Sequence, residues 1–213
     1  MELNYKNYLD SLNSEQKKAV ENTEGSCLVL AGAGSGKTRV LTYKILHLLV
    51  QKKAFPTQIL SVTFTNKAAT EMKSRVSSLL NQPIDKMWLG TFHSLSAKIL
   101  RSHCNLVQLK NNFIIIDTDD QLKLIKQICE RENINIKEKT PRYYLSVIDS
   151  LKNKGIFANS LQLQKFKKSE NEIGKIYKIY QDELLRLNCV DFGDLILHCI
   201  KIFKEHKDVC LRY

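Results

Sequence analysis

Apolar and polar residues follow one another along the first half of the chain in two rhythms. Three short unbroken apolar runs, "SCLVLAG" (26–32), "ILSVTF" (59–64) and "MWLGTF" (87–92), are the length of buried strands. Between and after them the period lengthens to that of a helix. Val40, Leu41, Ile45, Leu48 and Leu49 recur at helical spacing from Lys37 to about Gln51. Ala69, Met72, Val76 and Leu79 share one face of "NKAATEMKSRVSSLL" (66–80), and "HSLSAKILRSHC" (93–104) follows the third run. Strands separated by helices of this length need crossover connections, which predicts a parallel sheet and an α/β fold.

After "FIIIDTDD" (113–120) the segments read as helical, at about 118–132, 141–153, 160–167, 171–188 and 191–206. Thr140 followed by Pro141 is a helix start, a capping hydroxyl with proline at the first position. Gly155 suits the end of that helix. A helical block thus follows three strand–helix units, as an insertion or a second domain. There is no repeat, low-complexity tract or long Pro/Gly/Ser linker.

The first apolar run ends in "AGAGSGKT" (31–38). The phosphate-loop pattern is G-x-x-x-x-G-K-[ST], and Ala31 replaces its first glycine. The remaining logic holds. Glycines let successive backbone N–H groups converge on a phosphate without side-chain clash. The helix that follows offers its unpaired N–H groups and positive dipole end to the same anion. Lys37 can reach the β- and γ-phosphates, and Thr38 can ligate Mg²⁺. Nucleotide binding follows, but the loop serves kinases, GTPases, transporters and helicases alike.

Three further stretches narrow the choice, each with a plainer reading beside it. In "LNSEQKKAV" (12–20), Asn13 and Gln16 form a capping-box variant, yet the Gln16 amide could also read an adenine edge. In "SVTFTNKAATEM" (61–72), Phe64, Thr65, Asn66 and Lys67 fall at a strand's carboxyl end, where open α/β sheets bind ligands. An aromatic beside small polar residues and a lysine suits single-stranded nucleic acid; otherwise Phe64 is core and Asn66 caps the next helix. "GTFHSLSAKIL" (90–100) repeats the arrangement with Thr91, Phe92, His93 and Ser94. Cysteine or a second histidine at ligand spacing is missing around His93, which speaks against a metal there.

Charge adds to this picture. The 213 residues carry a formal charge of +11, with 15 Lys+Arg against 7 Asp+Glu in residues 1–110 and 18 against 15 in residues 111–213. A basic excess favours a polyanionic partner, although lysine-rich helix faces can produce it alone. Hydrophobic residues at 43% and charged residues at 26% are the balance of an ordinary water-soluble domain. No apolar run approaches the roughly 18 residues of a membrane span, and "MELNYKNYLDSLN" is no secretory signal, so a cytoplasmic protein is expected. The 6 cysteines form no C-x-x-C pair and are expected as free thiols acting as small hydrophobes.

Together, "LNSEQKKAV", "AGAGSGKTRVL", "VTFTNKAATEM", "GTFHSLSAKIL", "DTDDQLKLIK" and "VDFGDLI" resemble, in order, the amino-terminal part of UvrD/PcrA/Rep-type superfamily one DNA helicases. That family also carries alanine at the first position of the loop. The resemblance implies a RecA-like P-loop domain from residues 1–109 and 190–213, incomplete before its acidic Mg-binding strand, with an all-helical insertion at 110–189 that contacts duplex DNA near a junction. It implies that ATP is held by Gln16, Ala31, Gly32, Ala33, Gly34, Ser35, Gly36, Lys37, Thr38 and Arg39. Arg39 would lie against the adenine, Lys37 and Thr38 would be catalytic, and Thr38 would hold Mg²⁺. Phe64, Thr65, Asn66, Lys67, Thr91, Phe92 and His93 would contact single-stranded DNA. Gly193 departs from the usual "DFDDLI"-like stretch.

The acidic motif that activates water in this family has no counterpart among the 213 residues, nor has the second RecA-like domain. The chain is therefore expected to be an amino-terminal portion of a 3′-to-5′ DNA repair or replication helicase. By itself it should bind nucleotide without hydrolysing it or unwinding DNA. Repair proteins are conceivable partners, and a membrane is not. The alternative is a stand-alone single-strand DNA-binding module with a structural P-loop. A small-molecule kinase would need a lid and acceptor site that the sequence lacks.

Overall fold

The computed structural model describes residues 7–160 and 171–213, arranged as two compact units, 1–95 and 96–213. The first holds helices α1 (Ser14–Glu21), α2 (Lys37–Val50) and α3 (Asn66–Leu80), strands β1 (Leu60–Thr63) and β2 (Trp88–Thr91), and the start of α4 (Phe92–His103). β1 and β2 run parallel in register from Leu60 opposite Trp88 to Thr63 opposite Thr91. α3 is the crossover between them. It starts where the Thr65 hydroxyl accepts the Ala68 N–H, and stops at Asn81, which takes the left-handed conformation at φ 48°. Its apolar face buries Met72, Val76 and Leu80 against Ile45 and Leu46 of α2. Burying a side chain such as Val76 stabilises the fold by about 1.5–3 kcal/mol.

The second unit holds β3 (Ile114–Ile115), α5 (Thr118–Arg131), α6 (Pro141–Asn153), α7 (Asn171–Arg186), β4 (Cys189–Val190), α8 (Phe192–Glu205) and the short α9 (Lys207–Cys210). The chain leaves on β3, passes through α5, α6 and α7, and returns on β4, which pairs in parallel with β3. The starts of α5, α6 and α8 are chemically marked. Asp117 accepts the Asp120 N–H, Thr140 accepts the Tyr143 N–H ahead of Pro141, and Asp191 and Asp194 form a reciprocal capping box. Ile125, Ile128, Tyr144, Ile148, Tyr177 and Tyr180 pack one core of this unit. Phe113, Val190, Leu195 and Ile202 contribute to another.

The helices at 66–80 and 141–153 and the strands at 59–64 and 87–92 form as their patterns predict, with ends shifted by at most a residue or so. The predicted buried strand at 26–32 does not. Leu28 and Leu30 are 84% and 87% exposed, and no described strand pairs with this extended stretch. Its apolar run encodes a strand for the middle of a sheet, and a strand needs neighbours to be buried. The predicted helix at 160–167 lies outside the described residues save Ser160, which is not helical. Cys104, Cys129 and Cys199 are buried thiols as expected, whereas Cys27 and Cys210 are exposed.

Candidate nucleotide and nucleic-acid site

The glycine loop runs from the extended residues 26–32 into α2. Two of its positions need glycine for their backbone: Gly34 at φ 75° and Gly36 at φ 88° lie in the left-handed region. Gly36 is also the residue that caps α2, and no side chain caps the helix's first N–H groups there. The Ser35 hydroxyl donates to the Gly32 carbonyl at 2.7 Å, pinning the loop across its own base. The Lys37 ammonium folds back over it, donating to the carbonyls of Gly32 at 2.7 Å and Ala31 at 3.1 Å. The result is an exposed turn with amides at the end of a helix and a cation on its rim.

Gln16 joins this loop to α1. Its amide oxygen accepts the Asn13 N–H, while the Asn13 side chain accepts the Gln16 N–H, closing the capping box. Its amide nitrogen donates to the Ser35 carbonyl at 3.0 Å. A side chain on Gly36 would place its Cβ 2.8 Å from that nitrogen, so loop and glutamine fit only because position 36 has none. Arg39, on the first turn of α2, donates to the Ser11 carbonyl at 2.7 Å, and its guanidinium lies 5.6 Å from the centre of the Tyr43 ring. On the same helix, the Lys44 ammonium donates to the carbonyls of Ala19 and Asn22 at the end of α1. Burial pushes the Lys44 and His47 side chains below their ordinary pKa values, and the His47 ring meets the Tyr8 hydroxyl at 2.6 Å.

The carboxyl ends of β1 and β2 lie side by side, since Thr63 is opposite Thr91. Phe64 is 99% exposed and Phe92 64%, so the reading of Phe64 as a core residue is ruled out. Between them lies a polar network. The Thr91 hydroxyl, itself buried, donates to the Asn66 amide oxygen at 3.3 Å and accepts the Ser94 N–H at 3.2 Å. The Thr91 N–H donates in turn to the Ser94 hydroxyl. The cap of α3 is therefore Thr65, and Asn66 ties the two strand ends together. Gly90 is required by closeness, because a Cβ there would lie 2.6 Å from the Ser94 oxygen and 3.2 Å from Leu95. Lys67 and His93 are exposed on the two helix starts.

Sequence reasoning missed one charged cluster, in the second unit. Lys152 is wholly buried and donates to Asp191 at 2.6 Å and Asp194 at 2.7 Å. Tyr180 donates to Asp191 and Gln181 to Asp194. Burial works to raise Asp194, but Lys152, His198 and Gln181 outweigh it and hold the carboxyl below its usual range. The signal was present: Lys152 continues the buried face of Tyr144, Ile148 and Leu151, where an unpaired cation is not tolerated. Gly193 lies over the lysine stem, its missing Cβ only 3.0 Å from Lys152 Cδ. Among the described residues no group of three or more His, Cys, Asp and Glu side chains could hold a metal, and no helix is long and apolar enough to cross a membrane.

Comparison with known proteins gives this geometry a context. The family model of the UvrD/REP helicase N-terminal domain matches residues 12–213. An ATP-dependent DNA helicase PcrA of Staphylococcus epidermidis is 43% identical over 195 residues, which is 92% of this chain and 27% of that protein. A protein of the same description from Staphylococcus aureus is 40% identical over 205 residues, 96% of this chain and 28% of that protein. The chain thus spans little more than a quarter of the length of the curated relatives it matches.

Proposed function

Because the chain belongs to the UvrD/REP helicase family, we propose that it is the nucleotide-binding portion of an ATP-dependent DNA helicase, with single-stranded DNA crossing its strand tips. The observation that carries this reading is the loop at the head of α2. Gly34 and Gly36 adopt a backbone that leaves the helix amides open to an anion, and Lys37 is poised on the rim. A triphosphate displacing the loop carbonyls from the Lys37 ammonium gives that amine a stronger, charge-assisted partner. The loop amides and Lys37 would bind and orient the β- and γ-phosphates, with Ala31–Gly36 and Arg39 lining the same site. Gln16, one hydrogen bond from the loop, would read the adenine edge.

Thr38 fits a Mg²⁺ site of the kind that draws most of its oxygens from phosphate and water, since it offers one hydroxyl at the helix start. Bound Mg-ATP supplies the phosphoryl chemistry. Phe64 and Phe92 offer stacking surfaces for bases, with Lys67 and His93 beside them and Thr65, Asn66 and Thr91 shaping the ledge.

We further read residues 1–109 and 190–213 as a RecA-like domain and 110–189 as its insertion. The pairing of β3 with β4, which brings the two ends of the helical block together, supports that division. Travel from 3′ to 5′, work on junction DNA in repair or replication, and a cytoplasmic location belong to the same proposal. The 213 residues are proposed to bind ATP without turning it over, because they hold no acidic strand motif to activate water.

Titration of the chain with a fluorescent ATP analogue tests this directly. Saturable binding that Lys37→Ala weakens at least tenfold is the expected result. No binding, or binding indifferent to Lys37→Ala, overturns the nucleotide site. Phosphate release by the wild-type chain that Lys37→Ala abolishes overturns the statement that it lacks turnover.

A further inference from the structure

Arg39 is held by more than the helix that carries it. Its guanidinium donates to the Ser11 carbonyl at 2.7 Å and lies 5.6 Å from the centre of the Tyr43 ring. The Ser11 hydroxyl donates to the Tyr43 hydroxyl at 2.9 Å, so Arg39, Ser11 and Tyr43 close a triangle. Tyr43 is anchored in its turn, because it packs against the cluster of Leu12, Val20 and Val40. Arg39 and Tyr43 stand one turn apart on α2, which is what brings the cation to the ring. Arg39 is nevertheless exposed, so part of its side chain stays open to solvent.

The triangle adjoins the glycine loop. A Cβ built on Gly36 would stand 3.8 Å from the Arg39 Cβ and 2.8 Å from the Gln16 amide nitrogen, so Arg39 and Gln16 flank the last glycine of the loop. Both partners of the Arg39 guanidinium are neutral, a carbonyl and an aromatic ring, and its positive charge is left for a further π face. A planar guanidinium suits such a face. Ordering a long side chain at the moment of binding costs affinity, and a side chain ordered beforehand avoids that cost.

We propose, resting on the reading of the glycine loop as a nucleotide site, that Tyr43 is a positioning residue for base recognition. With the Ser11 carbonyl it holds the Arg39 guanidinium beside Gly36, where the base of a nucleotide bound through the loop stacks on the open side of the cation. Tyr43 itself does not touch the nucleotide. Its effect is confined to the base, since the phosphates are met by the loop amides and Lys37.

Calorimetric titration with Mg-ATP, and separately with inorganic tripolyphosphate, tests this, because tripolyphosphate carries the phosphates without the base. Both should bind the wild-type chain, and Lys37→Ala should weaken both. Tyr43→Leu is expected to weaken ATP about two- to fivefold, the worth of an exposed cation–π contact, and to leave tripolyphosphate unchanged. Tyr43→Phe, which keeps the ring, should recover most of that loss. In an Arg39→Ala background Tyr43→Leu should add no further loss, since the two act as one unit. Unchanged ATP affinity in Tyr43→Leu, or an equal loss for both ligands, overturns the proposal and leaves the loop's reading standing. So does a Tyr43→Leu loss that persists undiminished in Arg39→Ala. Arg39 is exposed and its removal spares the fold, so unchanged ATP affinity in Arg39→Ala overturns the proposal even where Tyr43→Leu does not fold. Absence of binding by both ligands, or binding indifferent to Lys37→Ala, overturns the nucleotide site and Tyr43's role with it.

Discussion

At the scale of single residues, the sequence offered Gln16 two roles, helix capping and nucleotide contact, and the structure shows the cap together with a hydrogen bond from the same amide to the glycine loop. One amide group accepts the Asn13 N–H and donates to the Ser35 carbonyl, so α1 cannot shift without pulling on the loop. Gln16→Ala is therefore expected to cost about 1 kcal/mol in urea unfolding through the lost cap and to weaken ATP-analogue binding as well. A loss of stability with unchanged nucleotide affinity would reduce Gln16 to a cap. Phe64 carries the other residue-scale expectation. A side chain 99% exposed contributes almost nothing to the core, so Phe64→Ala should leave the unfolding midpoint within about 0.5 kcal/mol of wild type. Oligo-dT affinity should nevertheless fall about 5- to 150-fold, the worth of one stacked base. Fluorescence anisotropy with labelled oligonucleotide measures it.

Among the elements, legibility followed the range of the forces that shape them. α3 and α6 were readable because their signals are local: a threonine cap at Thr65 or Thr140, proline at the first position of α6, and apolar residues on one face. The glycine loop's conformation was readable for the same reason, since its glycines answer a local backbone demand at Gly34 and Gly36. Residues 26–32 misled because an apolar run states a wish for burial without naming the neighbour that grants it. Lys152 and its two aspartates were missed because 39 and 42 residues separate them in sequence. That cluster is what holds α6 against the start of α8. Lys152→Met leaves two carboxylates buried without their cation, and is expected to cost about 3–5 kcal/mol in urea unfolding.

Acid should attack the same element pair. Burial lowers His198, so near pH 6 the unfolded chain binds more protons than the folded one. Stability is then fully present above the ordinary histidine value of 6.5 and declines as pH falls below it. Asp194, held low in spite of its burial, adds a second decline as pH falls below its ordinary value of 3.8. Asp149, raised by burial and by Asp191, works in the opposite direction and offsets part of these declines. The urea midpoint should accordingly fall between pH 7 and pH 5, and His198→Gln should remove part of that fall. A midpoint that rises on acidification contradicts this account.

For the molecule as a whole, charge is the property that a polyanionic partner would read. The excess of basic residues is concentrated in residues 1–110, at 15 against 7, and that span includes the loop and the strand tips. Lysine-rich helix faces would produce a similar total without any partner, so the total alone decides nothing. The response to salt does decide, because each phosphate neutralised on a single strand contributes about −0.7 to the slope of log affinity against log salt. If single-stranded DNA lies across the tips of β1 and β2, at least two phosphates must meet cations there. The oligo-dT slope should then be at least as steep as about −1.4, and Lys67→Ala should flatten it by about 0.7. Phe64→Ala should lower affinity at every salt concentration and leave the slope alone, since stacking releases no counterions. The two variants thus separate the charge of the ledge from its aromatic surface. A slope near zero in the wild-type chain, with Phe64→Ala inert, would show that the basic excess is a property of solvated helix faces and that the strand tips bind no polynucleotide.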